Sequence, residues 1–178
     1  MAVITLYHGT ARPFTEFASD YTLRGSEPNS ALGVHLTESP SIAADYARLA
    51  AKDGHAGEPR VLIVKAEVSK VGLVGSAADY LGRDPEIFDV ETNRTRVEFV
   101  ERRLELQDMG FDAVATEGTE LLEVCGCWAV FDPGSLSIIG QMSVEAADEL
   151  DEQEMDFEGV EFDRVVLFED EPEDDLAP

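Results

Sequence analysis

The sequence is poor in cysteine, tryptophan, histidine and positive charge. Two cysteines among 178 residues, Cys125 and Cys127, exclude a disulfide framework. They would point to one face of a single strand, badly placed to bridge each other. They fit a reducing compartment, and two cysteines alone make no zinc site, so no metal is expected. No apolar run approaches the roughly 18 residues that a membrane-spanning helix needs. The opening MAVITLYHGT lacks a basic n-region and a convincing apolar h-region. No membrane association and no secretion signal are therefore expected, and the location is read as cytoplasmic. Lysine and arginine number 13 against 38 acidic residues, a formal net charge of −25. Such a field repels nucleic-acid phosphates at long range, which favours a protein over a nucleic acid as macromolecular partner.

What is present is unevenly distributed. From Glu145 onward, sixteen acidic residues stand against Arg164 alone, so the last fifth carries roughly −15 of the charge. The organisation expected is one domain over residues 1–143 and an acidic C-terminal tail over 144–178. Within the tail, "FEGVEFDRVVLF" has enough aromatic and β-branched residues to dock. Its expected seat is either the chain's own domain, as an added strand that could cover a cleft, or a basic protein partner. "EDEPEDDLAP" reads as solvated.

Along the chain, Met1–Tyr7 reads as a strand broken by Gly9, which sets His8 at a strand end. Residues 10–32 read as loop. Val34–Thr37 is a short strand. Ser39 is an N-cap with Pro40 at the first helical position, Ile42, Tyr46 and Leu49 follow at helical spacing, and Gly54 stops the helix. "RVLIVKAEV" is a buried strand. Thr95 and Glu98 have capping-box spacing ahead of an amphipathic helix that ends at Gly110. "FDAVAT", "LEVCGCWAVFD" and "SLSIIGQM" are later strands, expected to be antiparallel. The class is α+β.

Three segments together resemble the ADP-ribosyltransferase fold. They are Tyr7-His8-Gly9-Thr10, then Gly33-Val34-His35-Leu36-Thr37 with Tyr46 downstream, then Trp128-Ala129-Val130-Phe131-Asp132. The match is to the diphtheria-toxin and poly(ADP-ribose) polymerase branch, whose motif is His-Tyr-Glu. Bacterial and phage-borne members found in polyvalent proteins are the most similar. Gly110-Phe111-Asp112-Ala113-Val114 and Val130-Phe131-Asp132-Pro133 fit their late strand pair. The resemblance implies a split β-sandwich with helices packed on it, followed here by the acidic segment. It also implies NAD as substrate, and a cytoplasmic setting in the host if the chain is phage-encoded. By the same resemblance, His8 would hydrogen-bond a ribose hydroxyl of NAD. Gly9, with Thr10 beside it, would hold the nicotinamide carboxamide by its backbone. Tyr46 would stack on the nicotinamide ring.

Two positions depart from the pattern. The usual tyrosine is His35, which can still stack and hydrogen-bond. The usual glutamate is Cys127, and a neutral thiol cannot stabilise positive charge as a glycosidic bond breaks. Glu117, Glu120 and Glu123 are the nearby acids that could substitute. The expected catalytic set is His8, His35 and Cys127, and the NAD-binding set is His8, Gly9, Thr10, His35 and Tyr46. The leading expectation is transfer of one ADP-ribose to a macromolecule. The alternative is a catalytically degenerate NAD- or protein-binding module acting through its acidic surface. A third reading is an acidic mimic that occupies a nucleic-acid-binding surface.

Overall fold

The computed structural model describes residues 1–23, 28–54, 57–75, 80, 94–116, 126–150 and 157–168. In chain order the elements are β1 (Ala2–Thr10), β2 (Val34–Thr37), α1 (Pro40–Lys52), β3 (Arg60–Val68), β4 (Lys70–Val74), α2 (Arg96–Asp108), β5 (Ala113–Thr116), β6 (Cys127–Val130), β7 (Leu136–Ser143), α3 (Val144–Asp148) and β8 (Glu161–Val165). The strands form one eight-stranded sheet in the order β7-β3-β1-β2-β6-β5-β4-β8. The class is α+β, as the sequence suggests.

The sheet is split. β1 pairs with β3 along its whole length, from Ala2↔Val68 to Thr10↔Arg60. With β2 it shares the single pair Tyr7↔Thr37. The inner faces of the two halves supply one core. Ile4, Leu6, Leu62 and Val64 come from one half; Val34, Leu36, Trp128 and Val130 come from the other. Side chains alternate along a strand, so the outer faces need their own cover. α1 and α3 cover the first half through Ala43, Ala47, Val144 and Ala147, packed on Tyr7 and Val61. α2 covers the second through Phe99 and Leu106, packed among Val114, Ala129 and Phe131. Burying each of those two α2 side chains contributes about 1.5–3 kcal/mol.

Local chemistry sets the helix ends. The Ser39 hydroxyl accepts from the Ile42 N–H, with Pro40 at the first position. Thr95 and Glu98 make a reciprocal capping box. The buried stripe of α1 is Ala43, Ala44 and Ala47, while Tyr46 and Leu49 are half exposed. Small residues face the sheet because the helix lies directly on β1: a Cβ at Gly9 would stand 1.9 Å from the Ala43 carbonyl oxygen.

Three features differ from the sequence reading. β1 runs on to Thr10, so His8 lies inside a strand and not at its end; β3 offers backbone partners through Arg60. β4 and α3 have no sequence signal strong enough to announce them. β4 pairs in parallel with both β5 and β8, whereas β5–β6, β2–β6 and β3–β7 are antiparallel. In its described part the acidic segment packs on the rest of the chain, and the added strand is one of the two seats expected for it. α3 is tied to α1 by an Arg48–Asp148 ion pair, and β8 extends the sheet. Phe157, Val160 and Phe162 lie against the inner core. β8 sits at the β4 edge, on the opposite side of β2 from β1 in the strand order. Cys125, Glu117, Glu120 and Glu123 lie outside the described residues.

Candidate functional site

Beyond Tyr7↔Thr37, β1 and β2 diverge. At this mouth opens a cleft of about 710 Å³ lined by His8, Gly9, Thr10, Arg12, Tyr21 and His35, among others. That volume falls within the roughly 300–1,000 Å³ of small-molecule sites.

His8 is held at both ring nitrogens. Nδ1 lies 2.9 Å from the His35 carbonyl oxygen. A carbonyl only accepts, so Nδ1 carries the proton and Nε2 is left as an acceptor. Nε2 receives the Tyr21 hydroxyl at 3.0 Å. Desolvation pulls the His8 pKa down to about 4, against the raising effect of its carbonyl partner. The imidazole is therefore neutral at physiological pH. Burial likewise pushes the Tyr21 hydroxyl up to about 12, which keeps it a donor. Phe14, Phe17 and Tyr21 present their rings to His8 with centroids 5.4–5.9 Å away, all near edge-to-face.

His35 repeats the device with the opposite tautomer. Nε2 donates to the Asn29 carbonyl at 3.0 Å, and Nδ1 accepts the Tyr80 hydroxyl at 2.7 Å. Burial lowers its pKa. The two histidines are thus fixed and neutral, each between one tyrosine hydroxyl and one backbone carbonyl.

Of the residues singled out in the sequence, His8, Gly9, Thr10 and His35 line the cleft. Tyr46 and Cys127 are not among its walls. They meet each other: the Tyr46 hydroxyl hydrogen-bonds Cys127, and burial followed by this thiol pushes its pKa up to about 12. Cys127 is buried, is a free thiol, and donates its backbone N–H to Thr116 Oγ1 at 3.1 Å. Tyr80 links the two groups. It bonds His35 and lies within electrostatic reach of both Cys127 and Tyr46, and its pKa is raised first by burial.

Several site residues escape sequence reasoning. Phe14, Phe17 and Tyr21 sit in a stretch read as loop; their spacing of three and four directly after the His8 strand is the signal that marks them. Tyr80 has no such signal. Arg12 and Glu16 bring one charge of each sign to the cleft wall. Among the described residues, no cluster of three or more His, Cys, Asp or Glu side chains could hold a metal ion.

No protein-family model matches the sequence, and no curated protein matches it. Among solved structures, the chain is similar to one in the crystal structure of the M. tuberculosis MbcT–MbcA toxin–antitoxin complex. The identity is 12%, over 84% of this chain and 89% of that chain, with a TM-score of 0.47. A likeness of that size assigns neither fold family nor activity.

Proposed function

We propose that this chain is an ADP-ribosyltransferase of the His-Tyr-Glu type that binds NAD at the β1/β2 mouth and transfers a single ADP-ribose to a macromolecular acceptor. The observation that carries the reading is the split itself. β1 leaves β2 after Tyr7, so His8, Gly9 and Thr10 have no ladder to β2 where they line the cleft. A strand edge of that kind offers a donor and an acceptor in a row, which suits a carboxamide.

Each residue then has a task. His8, with its Nδ1 proton held by the His35 carbonyl, offers Nε2 to a ribose hydroxyl. Gly9 offers backbone to the carboxamide. Arg12 meets the pyrophosphate in a chain otherwise dominated by negative charge. The bond between ribose C1′ and the nicotinamide nitrogen breaks, its electron pair stays with the nitrogen, and neutral nicotinamide leaves. The acceptor nucleophile adds to C1′ and gives up its proton. Cys127, where the family pattern has its glutamate, contributes no charge to the cationic transition state. Single additions rather than chains are therefore the expected product. The acidity of the chain favours a protein acceptor.

Nicotinamide release from NAD, compared between the wild type and His8→Ala, tests this. Release by the wild type that drops at least tenfold in the variant supports the proposal; release by neither protein refutes it. Cys127 favours one second reading, a module that binds NAD or a basic protein partner without turnover. NAD binding by calorimetry without nicotinamide release would select it.

A further inference from the structure

The His8 acceptor is already in use. Its Nε2 is the atom that the NAD reading offers to a ribose hydroxyl, and the Tyr21 hydroxyl sits on it at 3.0 Å. Tyr21 belongs to a short turn, Tyr21–Leu23, whose position is fixed from outside the cleft. The next residue, Thr22, is 4% exposed. Its backbone carbonyl accepts from Arg96 at 3.1 Å and its hydroxyl from Arg103 at 3.0 Å. Arg96 also donates to the Ser30 hydroxyl at 3.1 Å, and Ser30 is itself part of the cleft wall. Two guanidinium groups of α2 thus hold the turn with charge-assisted bonds, which are stronger than the neutral bond from Tyr21 to His8.

We propose that the Tyr21 hydroxyl is a stand-in for a ligand hydroxyl on His8, and that Arg96 and Arg103 latch it there. Ligand binding then exchanges one hydroxyl for another on Nε2. The class of ligand follows: His8 accepts and cannot donate from Nε2, so the site takes a group that brings its own O–H, such as a sugar hydroxyl, and refuses an oxyanion at that atom. α2 and its latch become positioning elements for the cleft although neither arginine touches His8. A purely structural Tyr21 would serve as wall through its ring, which Phe14 and Phe17 pack at 6.0 and 5.3 Å. Tyr21→Phe keeps that wall and deletes only the hydroxyl.

The inference rests on the NAD reading for the ligand's identity, and the experiment separates the two. Full-length wild-type and Tyr21→Phe proteins, labelled with ¹⁵N at histidine, are titrated with ADP-ribose by calorimetry and NMR. Removing one neutral competitor predicts ADP-ribose binding about 3–10-fold tighter in Tyr21→Phe. The His8 Nε2 resonance, shifted in the free variant, should return on ADP-ribose addition to its hydrogen-bonded position in the wild type. Arg103→Met should move affinity in the same direction, and Arg103→Lys should restore part of the wild-type value. Equal or weaker binding by Tyr21→Phe overturns the stand-in, as does a His8 signal indifferent to ADP-ribose in both proteins. If Tyr21→Phe binds ADP-ribose more tightly while neither protein releases nicotinamide from NAD, the stand-in holds and the transferase reading falls. If both release nicotinamide and affinity is unchanged, the reverse is true.

Discussion

The indole N–H of Trp128 donates to the Glu38 carboxylate at 2.7 Å, across the β2–β6 pair. Trp128 is 1% exposed, so this one bond carries the polar end of the largest buried side chain. The Glu38 backbone N–H bonds the Gly126 carbonyl at 3.1 Å, which fastens the same corner a second time. Gly126 takes a φ of +65°, and a Cβ there would stand 2.8 Å from the Glu38 carboxyl carbon. Glu38→Ala leaves the indole donor unpaired and should cost about 1–3 kcal/mol in urea unfolding. Glu38→Gln keeps an acceptor and should recover most of that loss.

Trp128 is the only tryptophan, so its emission reports on one place. Phe157 stacks on it at 5.8 Å and 20°, and Phe162 meets it edge-on at 6.2 Å. Phe157→Ala should shift the emission to the red and destabilise the fold by about 2 kcal/mol, less than for a fully buried phenylalanine. Unchanged emission would mean that this segment does not cover the core in solution.

Gly9→Ala would push a methyl into the main chain of α1, 1.9 Å from the Ala43 carbonyl and 2.7 Å from the Ala47 nitrogen. Backbone cannot rotate away as a side chain can. A loss of about 3 kcal/mol or more is expected in thermal unfolding. Loss of ligand binding in this variant would thus not by itself assign Gly9 to the ligand.

His8 titrates at about 4 in the folded chain, against about 6.5 when unfolded. The unfolded state therefore takes up the proton first as pH falls. The stability that this residue contributes is complete above pH 6.5 and is lost between 6.5 and 4, up to about 3 kcal/mol. His35 shifts in the same direction. Unfolding free energies at pH 7.5, 6.0 and 5.0 should fall steadily in the wild type and more gently in His8→Gln. Equal slopes would place the His8 ring in water.

How much of this was readable depends on whether the signal was local. Ser39-Pro40 and Thr95/Glu98 carry their helix ends in adjacent residues, and both caps form as the sequence implies. The apolar runs at 34–37 and 60–68 name their strands for the same reason. The alanines of α1 mark its close-packed face in the sequence but not what they touch: Gly9, over thirty residues earlier, lets the two backbones meet. The site divides likewise. His8, Gly9, Thr10 and His35 reach one cleft, whereas of the hydroxyls that fix the histidines Tyr80 has no sequence signal and Tyr21 has only its spacing from Phe14 and Phe17. Their places depend on pairing between distant stretches of chain, which local pattern cannot encode.

A sheet joined across its middle by Tyr7↔Thr37 alone behaves as two leaves on a pin. Backbone hydrogen bonds hold each leaf together, but between the leaves the bond is chiefly the side-chain contact of Ile4, Leu6, Val34, Leu36 and Trp128. Twisting one leaf against the other therefore strains packing rather than a ladder. Amide exchange along β3 and along β6 should then fall into two cooperative sets.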